Sequence, residues 1–75
     1  MDKKTAIDTY NDLNNAGLGF AIGEDDQTLT AAAESEGWIV KEVYSIDLIR
    51  VTDAAGHTAL IGGDGMGRNA WAIWV

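Results

Sequence analysis

Three stretches of this chain carry residue types that can do chemistry. The first is Gly62-Gly63-Asp64-Gly65-Met66-Gly67. Glycine loops hold phosphate when backbone amides approach the anion at a helix start. This loop carries a carboxylate, lacks the Lys-Ser/Thr pair of a P-loop, and leads into residues of strand character. It reads as a β-turn connection, and the softer functional reading is a loop that folds onto a partner. The second stretch is Glu24-Asp25-Asp26, which Asp64 could join around Ca²⁺. Calcium loops place oxygen ligands at alternate positions around a sharp glycine turn, closed by a distal Glu. Three consecutive carboxylates cannot wrap one ion in that way, so helix capping is the plainer role. The third is His57, the single histidine of the chain. It has neither a nucleophile context nor a second histidine for a metal. No catalytic residue, cofactor or metal is assigned from these stretches, and an enzyme is not expected.

The elements that must position these groups read as two helices followed by strands. Residues 3–16 form a helix capped by Asp2, with Ile7, Tyr10 and Leu13 as its apolar stripe and Gly17 as its stop. Leu18, Phe20 and Ile22 alternate with small residues, which fits either a short strand at 18–22 or a loop tucking apolar groups inward. A second helix is expected near 26–36, opened by the acidic trio, with Leu29, Ala32 and Ala33 facing inward and Gly37 ending it. From Trp38 the pattern is β. Residues 38–44 and 48–52 precede Asp53-Ala54-Ala55-Gly56, which suits a type I turn with a bulge, and His57–Ile61 returns. Asn69–Val75 reads as the last strand. The expected fold is α+β in the order α-α-β-β-β-β, with both helices on one face of an antiparallel sheet of about four strands.

Seventy-five residues, 47% of them hydrophobic, are expected to form a single domain over 1–75. The absence of cysteine removes disulfide and thiolate metal sites. Neither a signal-like opening nor a membrane-length apolar run is visible, so the expected compartment is the cytoplasm. The net charge is −7, of which −6 falls in residues 1–36 and −1 in residues 37–75. Direct nucleic-acid binding needs the opposite sign, and anionic membranes repel such a surface. A basic protein or nucleoprotein complex is the favoured partner.

Candidate partner-binding residues follow from that charge. Asp8 and Asp12 lie four apart on the first helix, about 6 Å from each other on one face. Glu34 and Glu36 sit near the second helix's C-terminus, where the dipole disfavours them. With Glu24, Asp25, Asp26 and Asp64 they are expected to form one anionic platform, spaced like a phosphate backbone. For each residue alone, a solvated helix face explains it as well. In the last strand Trp71, Ile73 and Val75 point one way and Ala70, Ala72 and Trp74 the other. The plainer arrangement puts Trp38 and Trp71 in the core and Trp74 at the rim. An exposed Trp74 would serve as an interface anchor.

In size and charge, though not in any residue pattern, the chain resembles phage-encoded inhibitors of the anti-CRISPR and anti-restriction class, some of which imitate nucleic acid. That resemblance implies a non-enzymatic inhibitor of a nucleic-acid-binding complex. Two other readings stand beside it. One is a self-assembling structural protein, a homodimer for instance, pairing through its C-terminal strand. The other is a small-ligand or catalytic domain using the glycine loop with His57 or Asp64.

Overall fold

The computed structural model describes residues 1–24, 26–63 and 70–75. In chain order the elements are α1 (Lys3–Asn15), β1 (Phe20–Ala21), α2 (Leu29–Ser35), β2 (Ile39–Ser45), β3 (Leu48–Thr52), β4 (Thr58–Gly62) and β5 (Trp71–Trp74). The fold is α+β, with five antiparallel strands in the order β1-β5-β4-β3-β2. The residues at 18–22 do contribute a strand, β1, which falls between the helices and pairs with β5 at the far edge. The expected order α-α-β-β-β-β is corrected accordingly.

Local chemistry sets the ends of the elements. Asp2 caps α1 by accepting from Thr5 N at 2.7 Å. Thr28 caps α2, its hydroxyl accepting from Ala31 N at 3.1 Å. The expected start of α2 in the acidic trio is therefore wrong, because Glu24 and Asp26 lie before the cap. The Asp53–Gly56 turn forms as read. Gly56 takes φ +86°, its N donates to Asp53 O at 3.1 Å, and Asp53 N donates to His57 O at 3.0 Å.

The two helices lie on opposite faces of the sheet, which corrects the expectation of one shared face. Cross-strand partners project from the same side. One side carries Ile49, Val51, Ala59, Ile61 and Ala72, which cluster with Leu29, Ala32 and Ala33 of α2. The other side carries Leu48 and Leu60, which cluster with Ala6 of α1. Tyr10 lies on Gly62: a Cβ there would sit 2.7 Å from Tyr10 Cε2 and Oη, so only glycine leaves room for the ring. The inward stripe of α1 is thus Ala6, Tyr10 and Leu13, with Ile7 exposed. The physical reason for the two-sided arrangement is visible in β4. Ala59, Leu60 and Ile61 are consecutive and all fully buried, which requires cover on both faces.

The C-terminal strand β5 has a neighbour on each side, β4 and β1. The long open edge of the sheet is β2, where register shifts fall between Val40 and Glu42 and between Val43 and Ser45. Bulges and outward charges such as Lys41 and Glu42 hinder edge-to-edge pairing.

Candidate functional site

The candidate partner-binding residues divide between the two faces. Asp8 and Asp12 belong to α1. Asp8 Oδ2 pairs with Lys4 Nζ at 3.1 Å, both side chains exposed. Glu24, Asp26, Glu34 and Glu36 belong to the α2 layer, and all four are exposed. Glu24 is held through its backbone, its N donating to Gln27 Oε1 at 2.6 Å. Asp26 takes a left-handed φ of +66°. Glu36 ends α2 as its C-cap. A seven-residue helix is about 10 Å long, which sets the scale between the acidic groups at its two ends. Asp25 and Asp64, and with Asp64 most of the glycine loop, lie outside the described residues.

The charge separates more sharply by layer than by half of the chain. Residues 23–37 carry five carboxylates and no cation, while residues 1–22 and 38–75 each net −1. The acidic character is therefore concentrated in the segment that builds α2 and its two flanking turns.

Beside the C-terminus of α2 stands a group of aromatic rings. Trp74 projects from the same side of the sheet as Ala59, its partner on β4, and Phe20 from the same side as Ala72. Trp38, immediately after the Gly37 turn, packs against the α2 core. Ring centroids are 6.5 Å apart for Phe20–Trp74 at 30°, 6.5 Å for Phe20–Trp38 at 88°, and 5.3 Å for Trp38–Trp74 at 68°. Trp74 remains 41% exposed and Phe20 40%. Trp71 is 42% exposed on the opposite side, so it does not fill the core as expected; Ala72 and Ile73 do.

His57 joins this group edge-on, its ring 6.1 Å from Trp74 at 81°. Its Nδ1 lies 3.0 Å from Asp53 Oδ2, and its backbone N donates to Asp53 Oδ1 at 2.8 Å. Ala55 N donates to the same oxygen at 2.9 Å. Partial burial pushes the Asp53 carboxyl up, but the hydrogen bonds from His57 and Ala55 and the nearby imidazole outweigh it. The net result is a pKa held below the usual carboxylate value.

Two open grooves flank Tyr10 on the α1 side. One, of about 640 Å³, is lined by Tyr10, Asn11, Asn14, Gly17, Gly19, Gly63 and Trp71. The other, of about 340 Å³, includes Ser45 and Asp47. Among the described residues, Asp47 Oδ1 is buried and has no hydrogen-bond partner. No group of three or more His, Asp or Glu side chains among the described residues could hold a metal ion. Nor is any described helix long and apolar enough to cross a membrane.

Sequence reasoning identified Trp74 but not its companions Phe20, Trp38 and His57. The alternation Leu18-Phe20-Ile22 held the signal for Phe20, since a period of two puts it on the same side as buried Ile22. Nothing local marks His57 as a neighbour of Trp74, because the two meet only through β4–β5 pairing. Comparison with known protein families, with curated proteins and with solved structures gives no match for this chain.

Proposed function

We propose that this protein is a non-enzymatic binding module that recognises a basic protein surface through its α2 layer. The class of partner is a nucleic-acid-binding protein or complex, whose cationic channel the carboxylates would occupy in place of nucleic acid. The observation that carries this reading is the charge imbalance of residues 23–37, five carboxylates without a cation, set beside exposed Trp74. Such a surface steers a cationic partner into encounter, and a desolvated aromatic side chain slows its departure. The expected mode is inhibition of the anti-CRISPR or anti-restriction kind, by occupation of a site rather than by chemistry. Asp8 and Asp12 take no part in this narrower form of the platform, since α1 lies on the other face.

The test compares two double charge reversals that change the net charge equally. Glu34→Lys with Glu36→Lys alters the α2 layer; Asp8→Lys with Asp12→Lys alters α1. Association of octalysine is followed by stopped flow at low and physiological salt. The α2 pair should slow association by roughly tenfold and flatten its salt dependence, whereas the α1 pair should have a much smaller effect. Equal slowing by both pairs would show attraction to the whole anionic molecule and no recognition by the α2 layer.

A further inference from the structure

The geometry points to an arginine seat on the Phe20–Trp38–Trp74 ridge, where a guanidinium of the basic partner stacks on the outward ring faces. This rests on the α2 reading and names the group that the partner must supply. Three observations select arginine. First, the rings are open: Trp74 and Phe20 each leave about two-fifths of their surface in solvent, and both meet Trp38, which packs against the α2 core. An exposed aromatic cluster is an interface feature, and Trp gives the strongest attraction to a cation placed over its face.

Second, the rings touch one another and do not surround a space. Centroids of 5.3, 6.5 and 6.5 Å are ordinary contact distances for each pair. A methylated ammonium is recognised by enclosure between ring walls, which this triangle does not provide. A planar guanidinium needs only one open face, and its weaker hydration makes the stacking less costly than for a lysine ammonium.

Third, the surroundings have the complementary sign. Glu36 is two residues from Trp38 and Glu24 four from Phe20, which places their Cα atoms within about 7 Å and about 14 Å of those ring-bearing residues at full chain extension. Asp53 reaches the ridge through His57, whose ring abuts Trp74. The chain thus sets acidic residues on both sides of the ring cluster, which gives a partner arginine a neighbourhood of complementary charge.

The experiment titrates the full chain with labelled octaarginine and octalysine, which carry equal charge, at physiological salt. The seat predicts a two- to fivefold tighter dissociation constant, roughly, for octaarginine. Trp74→Leu keeps apolar bulk and removes the π face. It should erase that preference, bringing the octaarginine affinity down to that of octalysine for the same variant, and Phe20→Leu, as a second variant, should reduce it. A preference that survives intact in both variants overturns the seat yet leaves the acidic surface standing. Failure of both peptides to bind the unaltered protein overturns the acidic surface itself, and the seat with it.

Discussion

Each face of the sheet is roofed half by a helix and half by side chains, and the two faces complete their roofs with opposite chemistry. On one face α1 lies over β4 and β5. The β2–β3 side is closed by a polar chain: Arg50 Nε donates to Tyr44 Oη at 3.3 Å and lies 3.8 Å from Glu42 Oε2, while Tyr44 Oη donates to Met1 O at 3.1 Å. On the other face α2 lies over β2, β3 and β4, and the β5–β1 side is closed by Phe20, Trp38 and Trp74. A helix is about 10 Å wide, and five strands span about 19 Å, so neither helix can cover its face alone. The polar roof uses up its own charges. The aromatic roof leaves about two-fifths of Trp74 and of Phe20 in solvent, beside a segment, residues 23–37, whose sequence holds five carboxylates and no Lys or Arg. Function is therefore expected where the roof is aromatic.

The strongest way to break this comparison is through neighbouring core residues that serve different faces. Leu60 supports the α1 side and Ile61 the α2 side, both fully buried. Leu60→Ala and Ile61→Ala should each cost about 2–5 kcal/mol by urea unfolding. In a domain whose total stability is on the order of 5–10 kcal/mol, either loss is a large fraction. Both changes should be comparably severe because both faces are covered. If one of them cost less than about 1 kcal/mol, that residue would be facing solvent and the sheet would carry a helix on one side only.

A smaller effect sharpens the α1 half. Gly62→Ala places a methyl group where the Tyr10 ring lies. The ring must shift, at a cost of about 1–3 kcal/mol for overpacking. In a Tyr10→Ala background the same change should cost much less, because the obstructing atoms are gone. A double-mutant cycle reads that coupling directly. An equal cost in both backgrounds would mean that Gly62 is required for its backbone and not for the ring above it.

The local grammar of this chain was largely readable, and its long-range geometry was not. The turn at Asp53–Gly56, the flanking strands and the Asp2 cap are set by neighbours in sequence. The start of α2 was misplaced because Asp and Thr are both favoured caps, and Glu24-Asp25-Asp26-Gln27-Thr28 offers several in a row. The side on which each helix packs depends on β1 crossing to pair with β5, Phe20 against Ala72, and no local pattern encodes that pairing. One signal of two-sided cover does lie in the sequence. Leu48-Ile49 and Ala59-Leu60-Ile61 are continuous apolar runs, the mark of strands covered on both faces, where a sheet with one bare face alternates. The acidic residues were all visible from composition, but whether they share a face could not be known until the helices were placed. Asp8 and Asp12 on α1 and Glu34 and Glu36 on α2 share a sign but lie on different faces of the sheet.

The smallest effect compares one carboxylate tied to each half of the molecule under acid. Asp2 caps α1, and hydrogen bonds from Thr5 hold its pKa below the usual value. Asp53 organises the β3–β4 turn beside the ring cluster, and there the bonds from His57 and Ala55 prevail over partial burial to the same effect. A carboxyl with a depressed folded-state pKa adds stability above its unfolded pKa and loses it as pH falls through the folded value. Both contributions should therefore persist at about pH 5 and decay below about pH 4. Asn at either position keeps an acceptor oxygen and removes the charge. Thermal melts of Asp2→Asn and Asp53→Asn should lie below the parent at about pH 5 and converge on it by about pH 2.5. Asp53→Asn should show the larger gap, since three donors converge on that side chain against one for Asp2. A gap for Asp53→Asn that stays constant down to about pH 2.5 would mean that the turn depends on side-chain shape and not on the carboxylate charge. His57 would then reach Trp74 without help from an ion pair.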